Sequence, residues 1–289
     1  MTLLLTVWLA AAPPQADRLN AADASARAEA ACELGRRRAD SAPAVPALLA
    51  MLGDDIAVGP VECGMSPWLR RALQEKPDEW RKFETSPARE AARALSRIGQ
   101  AALQPLLGAT ADANATVRRH AAFALGDMEK SLARGPAADR LSRLLGDSSA
   151  EVREAAARAL GELDVAAAVG ALVARLRDDA PRVRAATAWA LGEIDDKSAV
   201  KPLLPALADA DASVRRQAAW ALGELDDSLA VEALAGALED KDAGVRKQAA
   251  WALGEIADQR AAGALSAALK DKSAEVRKQA AWALGELKH

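Results

Sequence analysis

The sequence predicts an all-α chain, an α-solenoid (α-α superhelix) of about eight helix pairs. Three observations carry this reading. The chain repeats at 31 residues, leucines recur four apart within each repeat, and 51% hydrophobic content includes only 3% aromatics. With Phe 2, Tyr 0 and Trp 7, alanine supplies much of that apolar fraction. Alanine is the best helix former, and its small side chain lets helices approach closely. A fixed period of 20–50 residues marks stacked repeats. Length alone would suggest about two domains; the period replaces them with a single array over residues 17–289, interrupted at 53–86.

The first element is an apolar run at residues 3–12, followed by Pro13, Pro14 and the small residue Ala16. Its length and flank suit a secretory signal peptide over residues 1–16 and are too short for a bilayer span. No Lys or Arg precedes the run, so only the α-amino group supplies the usual positive charge. A cleaved product would be periplasmic or secreted, with no integral membrane segment. If the run is instead a capping helix, the protein is cytoplasmic.

Next come Cys32 and Cys63, the whole thiol complement. They form one disulfide if their backbones approach within about 7 Å, and otherwise are two small core residues; the spacing leaves both open. Residues 53–86 then break the pattern with Gly59-Pro60, Cys63-Gly64, Trp68, Trp80, Phe83 and a charged stretch at 70–82. This is either a loop stapled to its host repeat or a binding arm, since insertions in repeat arrays map to loops.

Beyond the insertion the Val-Arg pairs set the phase. Val152, Val183, Val214, Val245 and Val276 are each followed by Arg, at intervals of 31 residues. Looser copies stand at 26–35, 88–98 and 117–128. Each repeat begins with a helix whose leucines share one face: Leu172/Leu176, Leu203/Leu207, Leu234/Leu238 and Leu265/Leu269. The second helix places Val214, Ala218, Ala221, Leu222 and Leu225 on one stripe. Residues 209–213 supply its N-cap, and Asp195-Asp196 or Asp226-Asp227 turn the chain back. The recurring Leu-Gly, Leu125-Gly126 to Leu284-Gly285, costs helix stability, so the neighbouring helix must pass too close for a Cβ. Glycines this far apart do not make a phosphate loop.

The pattern A-V-x-x-L-x-x-A-L-x-D-x-D-x-x-V-R-x-x-A-A-x-A-L-G-E-L resembles the short HEAT-like repeats of phycobilisome lyase subunits, across residues 99–287 and more weakly 23–52. The resemblance implies a structural Asp-Arg ladder bridging neighbouring loops. Its members are Asp112/Arg118, Asp147/Arg153, Asp178/Arg184, Asp209/Arg215, Asp240/Arg246 and Asp271/Arg277, each aspartate six residues before its arginine. It also implies, as an alternative to a plain scaffold, a lyase-like or chaperone-like subunit acting on a tetrapyrrole-carrying or other protein.

Composition bears on chemistry. A formal net charge of -3 disfavours nucleic acid, whose binders carry a basic excess. His 2 and Cys 2 leave too few ligands for a zinc site. Helical-repeat hydroxylases that resemble this architecture use His-Glu pairs, whereas His120 is followed by Ala121. The sequence therefore points to no catalytic residue, metal or cofactor, and the chain is read as a non-enzyme.

The tryptophans depart from the core pattern. On the second helix Trp220 falls on the order of 140° from the apolar stripe, and a residue there faces outward. Trp189, Trp251 and Trp282 share the position, with Phe123 its equivalent upstream. Arg216, Lys247 and Lys278 stand four residues before three of them, in i,i+4 cation-π reach. Gln217, Gln248 and Gln279 lie beside these cations, and Glu193, Glu224, Glu255 and Glu286 follow four residues after each ring. This strip is read as a concave surface for a protein or peptide partner. A competing reading has the rings simply covering their neighbours' alkyl parts. Nothing in the sequence sets the partner's identity or the oligomeric state.

Overall fold

The computed structural model describes residues 17–59, 61, 63 and 85–287. The proposed signal segment lies outside them, as do Trp68, Trp80, Phe83 and the charged stretch of the insertion. The chain divides into two compact units, residues 1–133 and 134–289. Their described parts are helical, with one isolated antiparallel bridge between Val58 and Thr85.

In the first unit, helix α1 (Ala24–Arg37) packs on α3 (Pro87–Ile98), with α2 (Val45–Ala50) beside them. Helix α4 (Gln100–Ala109) then packs on α5 (Ala115–Gly126). The helix starts follow from their caps. Asp23, Ser86 and Asn114 accept hydrogen bonds from the amides of Ala26, Arg89 and Thr116, which the first helical turn leaves without partners. The alanine-rich faces of α1 and α3 meet so closely that a Cβ on Gly35 would lie 2.9 Å from the Ala94 Cα. Cys32 and Cys63 form a disulfide, Cα–Cα 5.9 Å, which resolves the two readings left open by their spacing. The disulfide ties Cys63 to α1, and the bridge ties Val58 to Thr85 just before α3.

Helix α6 (Lys130–Leu144) carries the chain into the second unit, where the period is most regular. The second helices of successive repeats are α7 (Ala150–Glu162), α9 (Pro181–Glu193), α11 (Ala212–Glu224), α13 (Ala243–Ile256) and α15 (Ala274–Glu286), and each packs against the next. Val152, Val183, Val214, Val245 and Val276 are fully buried, as is the stripe Ala218, Ala221, Leu222 and Leu225. At roughly 25 cal/mol per Å² of apolar surface removed from water, this shared seam is the main stabilising term, repeated once per unit.

The first helices are shorter: α8 (Val169–Arg175), α10 (Val200–Leu203), α12 (Val231–Ala237) and α14 (Ala262–Ala268), each entered through a 3₁₀ turn. Helix α10 is the shortest because Pro202 and Pro205 remove two amide donors and the chain continues as 3₁₀ over Leu204–Ala208. The inner leucine of each pair, Leu172, Leu203, Leu234 and Leu265, is fully buried. Its partner is less so, and Leu269 of the last repeat is exposed.

The turns between repeats use two adjacent residues differently. Asp164, Asp195, Asp226 and Ala257 occupy one repeat position and all adopt positive φ, 53°, 53°, 41° and 51°. The following Asp196, Asp227 and Asp258 cap the next 3₁₀ turn, accepting from the amides of Ser198, Leu229 and Arg260. Asp tolerates the left-handed region better than most residues because its short side chain can bond locally.

Candidate interaction surface

The loops that precede the second helices hold the Asp-Arg ladder, and its geometry joins successive repeats. Arg153 donates from Nε and Nη2 to both carboxylate oxygens of Asp178 at 2.8 and 2.7 Å. Arg184 does the same to Asp209, Arg215 to Asp240 and Arg246 to Asp271. The third nitrogen, Nη1, reaches back to the carbonyl oxygen of the aspartate six residues earlier: Asp147, Asp178, Asp209 and Asp240. Arg118 and Arg277 make the same backbone contacts to Asp112 and Asp271. The aspartates are spoken for twice, since Asp178, Asp209, Asp240 and Asp271 also accept from the amides of Ala180, Asp211, Asp242 and Ser273. Hydrogen bonds from Arg184, Arg215 and Arg246 hold Asp209, Asp240 and Asp271 below the usual carboxylate range. In the four complete rungs, Arg153 to Asp178 through Arg246 to Asp271, all three guanidinium nitrogens bond within the fold.

A version of this device that the sequence pattern does not announce sits in the first unit. Arg27 donates from Nε to Asp54 at 2.6 Å and from Nη1 to the carbonyls of Ala21 and Ala22. Nearby, Asp55 pairs with Arg119 and accepts from the Ser86 hydroxyl at 2.9 Å. His120 is buried beneath, its Nδ1 against the carbonyls of Thr116 and Leu52 at 3.0 and 3.2 Å. Burial, then the Arg119 charge, push its pKa below the usual imidazole value. Through the Leu52 carbonyl it ties the turn at Met51–Gly53 to α5, and it is not aimed at solvent.

The second helices carry three parallel rows across the repeats. The middle row is Arg158, Trp189, Trp220, Trp251 and Trp282, one position recurring at 31 residues. Trp189, Trp220 and Trp251 are half-buried and Trp282 is 38% exposed. The rings do not simply face outward. The Cζ3 edges of Trp189, Trp220, Trp251 and Trp282 lie where a Cβ on Gly161, Gly192, Gly223 and Gly254 would stand, 2.5–3.1 Å from it. The same four glycines let Ala190, Ala221, Ala252 and Ala283 of the next helix approach within 3.0 Å of that position. At these four positions the helical glycine has the packing reason expected of it, which the tryptophan shares, whereas nothing lies within 4 Å of a Cβ on Gly285 of the last repeat. One ring edge is a structural wedge while part of the ring remains accessible. Trp189 and Trp220 stack with centroids 6.5 Å apart and planes at 17°. Phe123 of the first unit is half-buried on α5.

The expected i,i+4 cation-π pairs are replaced by a contact between repeats. Arg158 places its guanidinium carbon 5.7 Å from the Trp189 ring centroid. Arg216 points instead toward the next repeat, its Nη1 3.6 Å from the Cβ position of Gly244, and Lys247 pairs with Glu275 at 3.7 Å. In these cases the first turn of the next repeat's second helix competes for the cation. Lys278 is exposed, and Gln217, Gln248 and Gln279 are half-buried next to the cations.

The third row, Glu193, Glu224 and Glu255, is exposed near the C-terminal ends of the helices, with Glu286 at the same position of α15. Burial, then the charges of Glu193, Glu255 and Asp195, raise the Glu224 carboxyl above its usual range, partly offset by a hydrogen bond from Trp220.

Such stacked helix pairs are what the HEAT-repeat model describes, and it matches residues 103–187, 137–207, 169–249 and 200–285. The chain belongs to the HEAT-repeat family. No curated protein matches the sequence. Among solved structures, this HEAT-repeat chain is similar to an engineered protein at 26% identity, covering 64% of this chain and 96% of that one, TM-score 0.51. A second engineered protein is 23% identical over 95% of this chain and 88% of its own, TM-score 0.53. Kap95p, solved with RanGDP, is 16% identical over 94% of this chain and 41% of its own, TM-score 0.64. The complex of CpcE and CpcF of phycocyanin lyase from Nostoc sp. PCC7120 is a more distant likeness, 24% identical over 94% of this chain and 93% of that one, TM-score 0.46. The likeness to Kap95p is one of fold.

Proposed function

We propose that this HEAT-repeat protein is a non-catalytic interaction scaffold that docks a protein or peptide on the second-helix face around Trp189, Trp220, Trp251 and Trp282. The observation that carries the reading is the combination of three rows on one face: cations at one edge, half-accessible rings in the middle and carboxylates at the other. The ladder is repeated evenly and hydrogen-bonded from repeat to repeat, so it builds the array and offers no unique position for chemistry. The partly exposed rings are the large apolar groups on an otherwise polar strip, the residue type that dominates binding energies at interfaces.

Because each ring also wedges against a glycine, removing a tryptophan changes packing as well as docking. The test therefore uses the glutamines beside the cations. A photo-crosslinking side chain at Gln248 is expected to trap a partner from the native envelope fraction, and one at Glu239, outside the strip, is not. Equal trapping at both positions, or none at Gln248, refutes the docking face. Export is part of the proposal: the Cys32–Cys63 disulfide fits an oxidising compartment. Intact mass of the mature protein checks it, and retention of residues 1–16 returns that run to a capping role.

A further inference from the structure

Resting on that docking reading, we propose that the segment taken by this face is extended and cationic, its arginine or lysine side chains seated between the tryptophan column and the row Glu193, Glu224, Glu255. Four observations on the second unit lead there.

The charges are ordered across the strip. Lys247 is paired with Glu275, and the Arg216 guanidinium reaches toward Gly244, so these cations are turned to the first turn of the neighbouring second helix. At the opposite edge, Glu224 and Glu255 form no ion pair among the described residues. The C-terminal ends of α9, α11 and α13 add partial negative charge beside them, and Asp195 and Asp226 lie just beyond as exposed carboxylates.

The carboxylates also oppose one another. Burial and the neighbouring acids keep Glu224 above the ordinary carboxyl range. A cation placed along the row removes that repulsion, and an anion placed there adds to it.

The chain supplies its own example of an occupant. At the head of the column α7 has Arg158 where α9, α11, α13 and α15 have tryptophan, and its guanidinium lies over Trp189. A planar cation therefore packs on a ring of this column.

Spacing points to an extended conformation. The Trp189 and Trp220 centroids are 6.5 Å apart. Alternate residues of a strand lie on one side, about 6.6–6.8 Å apart, so at this pair two alternate side chains of an extended segment match the two rings.

The probe is a fluorescent peptide of alternating arginine and threonine, its anisotropy titrated with the full protein and compared with an alternating glutamate-threonine peptide. The Arg-Thr peptide binds, with an affinity that falls as salt is raised. Glu224→Gln with Glu255→Gln weakens it roughly tenfold or more. Glu232→Gln with Glu239→Gln removes the same net charge from exposed positions off the strip and leaves affinity within about twofold. Equal loss in both pairs, tighter binding of the acidic peptide, or no binding of the basic one overturns the inference. An acidic peptide that binds and shifts tryptophan emission overturns the cationic occupant and leaves the docking face standing. Failure of the Gln248 cross-link removes the face itself.

Discussion

Arg215 of one repeat grips Asp240 of the next with two parallel hydrogen bonds, Nε to Oδ2 at 2.6 Å and Nη2 to Oδ1 at 2.9 Å. Its remaining nitrogen is held by the carbonyls of Asp209 and Ala210, so one guanidinium clips two loops together. Both side chains are largely buried, 5% and 11% exposed. Removing one partner leaves the other charge buried and uncompensated, which costs about 3–5 kcal/mol. Arg215→Ala is accordingly expected to lower the denaturation midpoint by far more than a surface substitution. A double-mutant cycle with Asp240→Ala should return a coupling of about 1–3 kcal/mol. Additive losses in that cycle would mean the pair is not a clip. Arg215→Lys should rescue little, because an ammonium lacks the planar fork.

The ladder also sets the acid limit of the fold. Burial opposes ionisation of Asp178, yet hydrogen bonds from Arg153 and the Ala180 amide bring its pKa down to about 2, from 3.8. A folded pKa below the unfolded one contributes stability that is full above about pH 4 and disappears as pH falls toward 2. Melting temperature should therefore drop across that window, and Asp178→Asn should flatten the drop while lowering stability at neutral pH. Glu224 has the opposite sign. Its raised pKa penalises the folded state as pH rises through and above 4.5. Glu224→Gln should raise the melting temperature at pH 7 and leave it unchanged at pH 3.

Helical glycines in this chain fall into two classes that one substitution separates. A Cβ on Gly223 would meet the Trp251 Cζ3 at 2.7 Å and the Ala252 Cα at 2.9 Å, whereas one on Gly236 meets nothing within 4 Å. Gly223→Ala gains helix propensity but forces two helices apart, a net loss of about 1–3 kcal/mol. Gly236→Ala is expected to stabilise by roughly 0.5–1 kcal/mol. Chemical denaturation of both variants decides it; equal and positive shifts would show that the α11–α13 approach has slack.

Why some of this was legible beforehand follows from periodicity. Buried valines, the leucine faces and the glycine contacts all recur at 31 residues, and a period read from sequence places them correctly. The ladder shows the limit. Aspartate precedes its own arginine by six residues and follows the previous arginine by 25, and both spacings repeat with the same period. Only coordinates show the side-chain bond going to the next repeat and the backbone bond to the same one. The tryptophans show another limit: a helical wheel fixes the direction of Cα–Cβ, not where a two-ring side chain folds. Trp220 leaves the helix on the outer side and bends back onto Gly192. Contacts across the irregular segment, Arg27 with Asp54 and Arg119 with Asp55, carry no periodic signal at all.

The turn after each second helix offers a comparison made by the chain itself. Asp164, Asp195 and Asp226 adopt positive φ, and at the equivalent place Ala257 does so at 51° with ψ 27°. An L-residue with a Cβ costs roughly 1–2 kcal/mol in the left-handed region, glycine pays nothing there, and aspartate less than alanine. Ala257→Gly and Ala257→Asp are each expected to raise stability by about 0.5–1 kcal/mol, and Asp226→Ala to lower it by a similar amount. The three variants touch no core side chain, so differences in denaturation midpoint report backbone preference alone. If Ala257→Gly destabilises instead, the gain from relieving φ is smaller than the entropy that glycine adds to the unfolded chain.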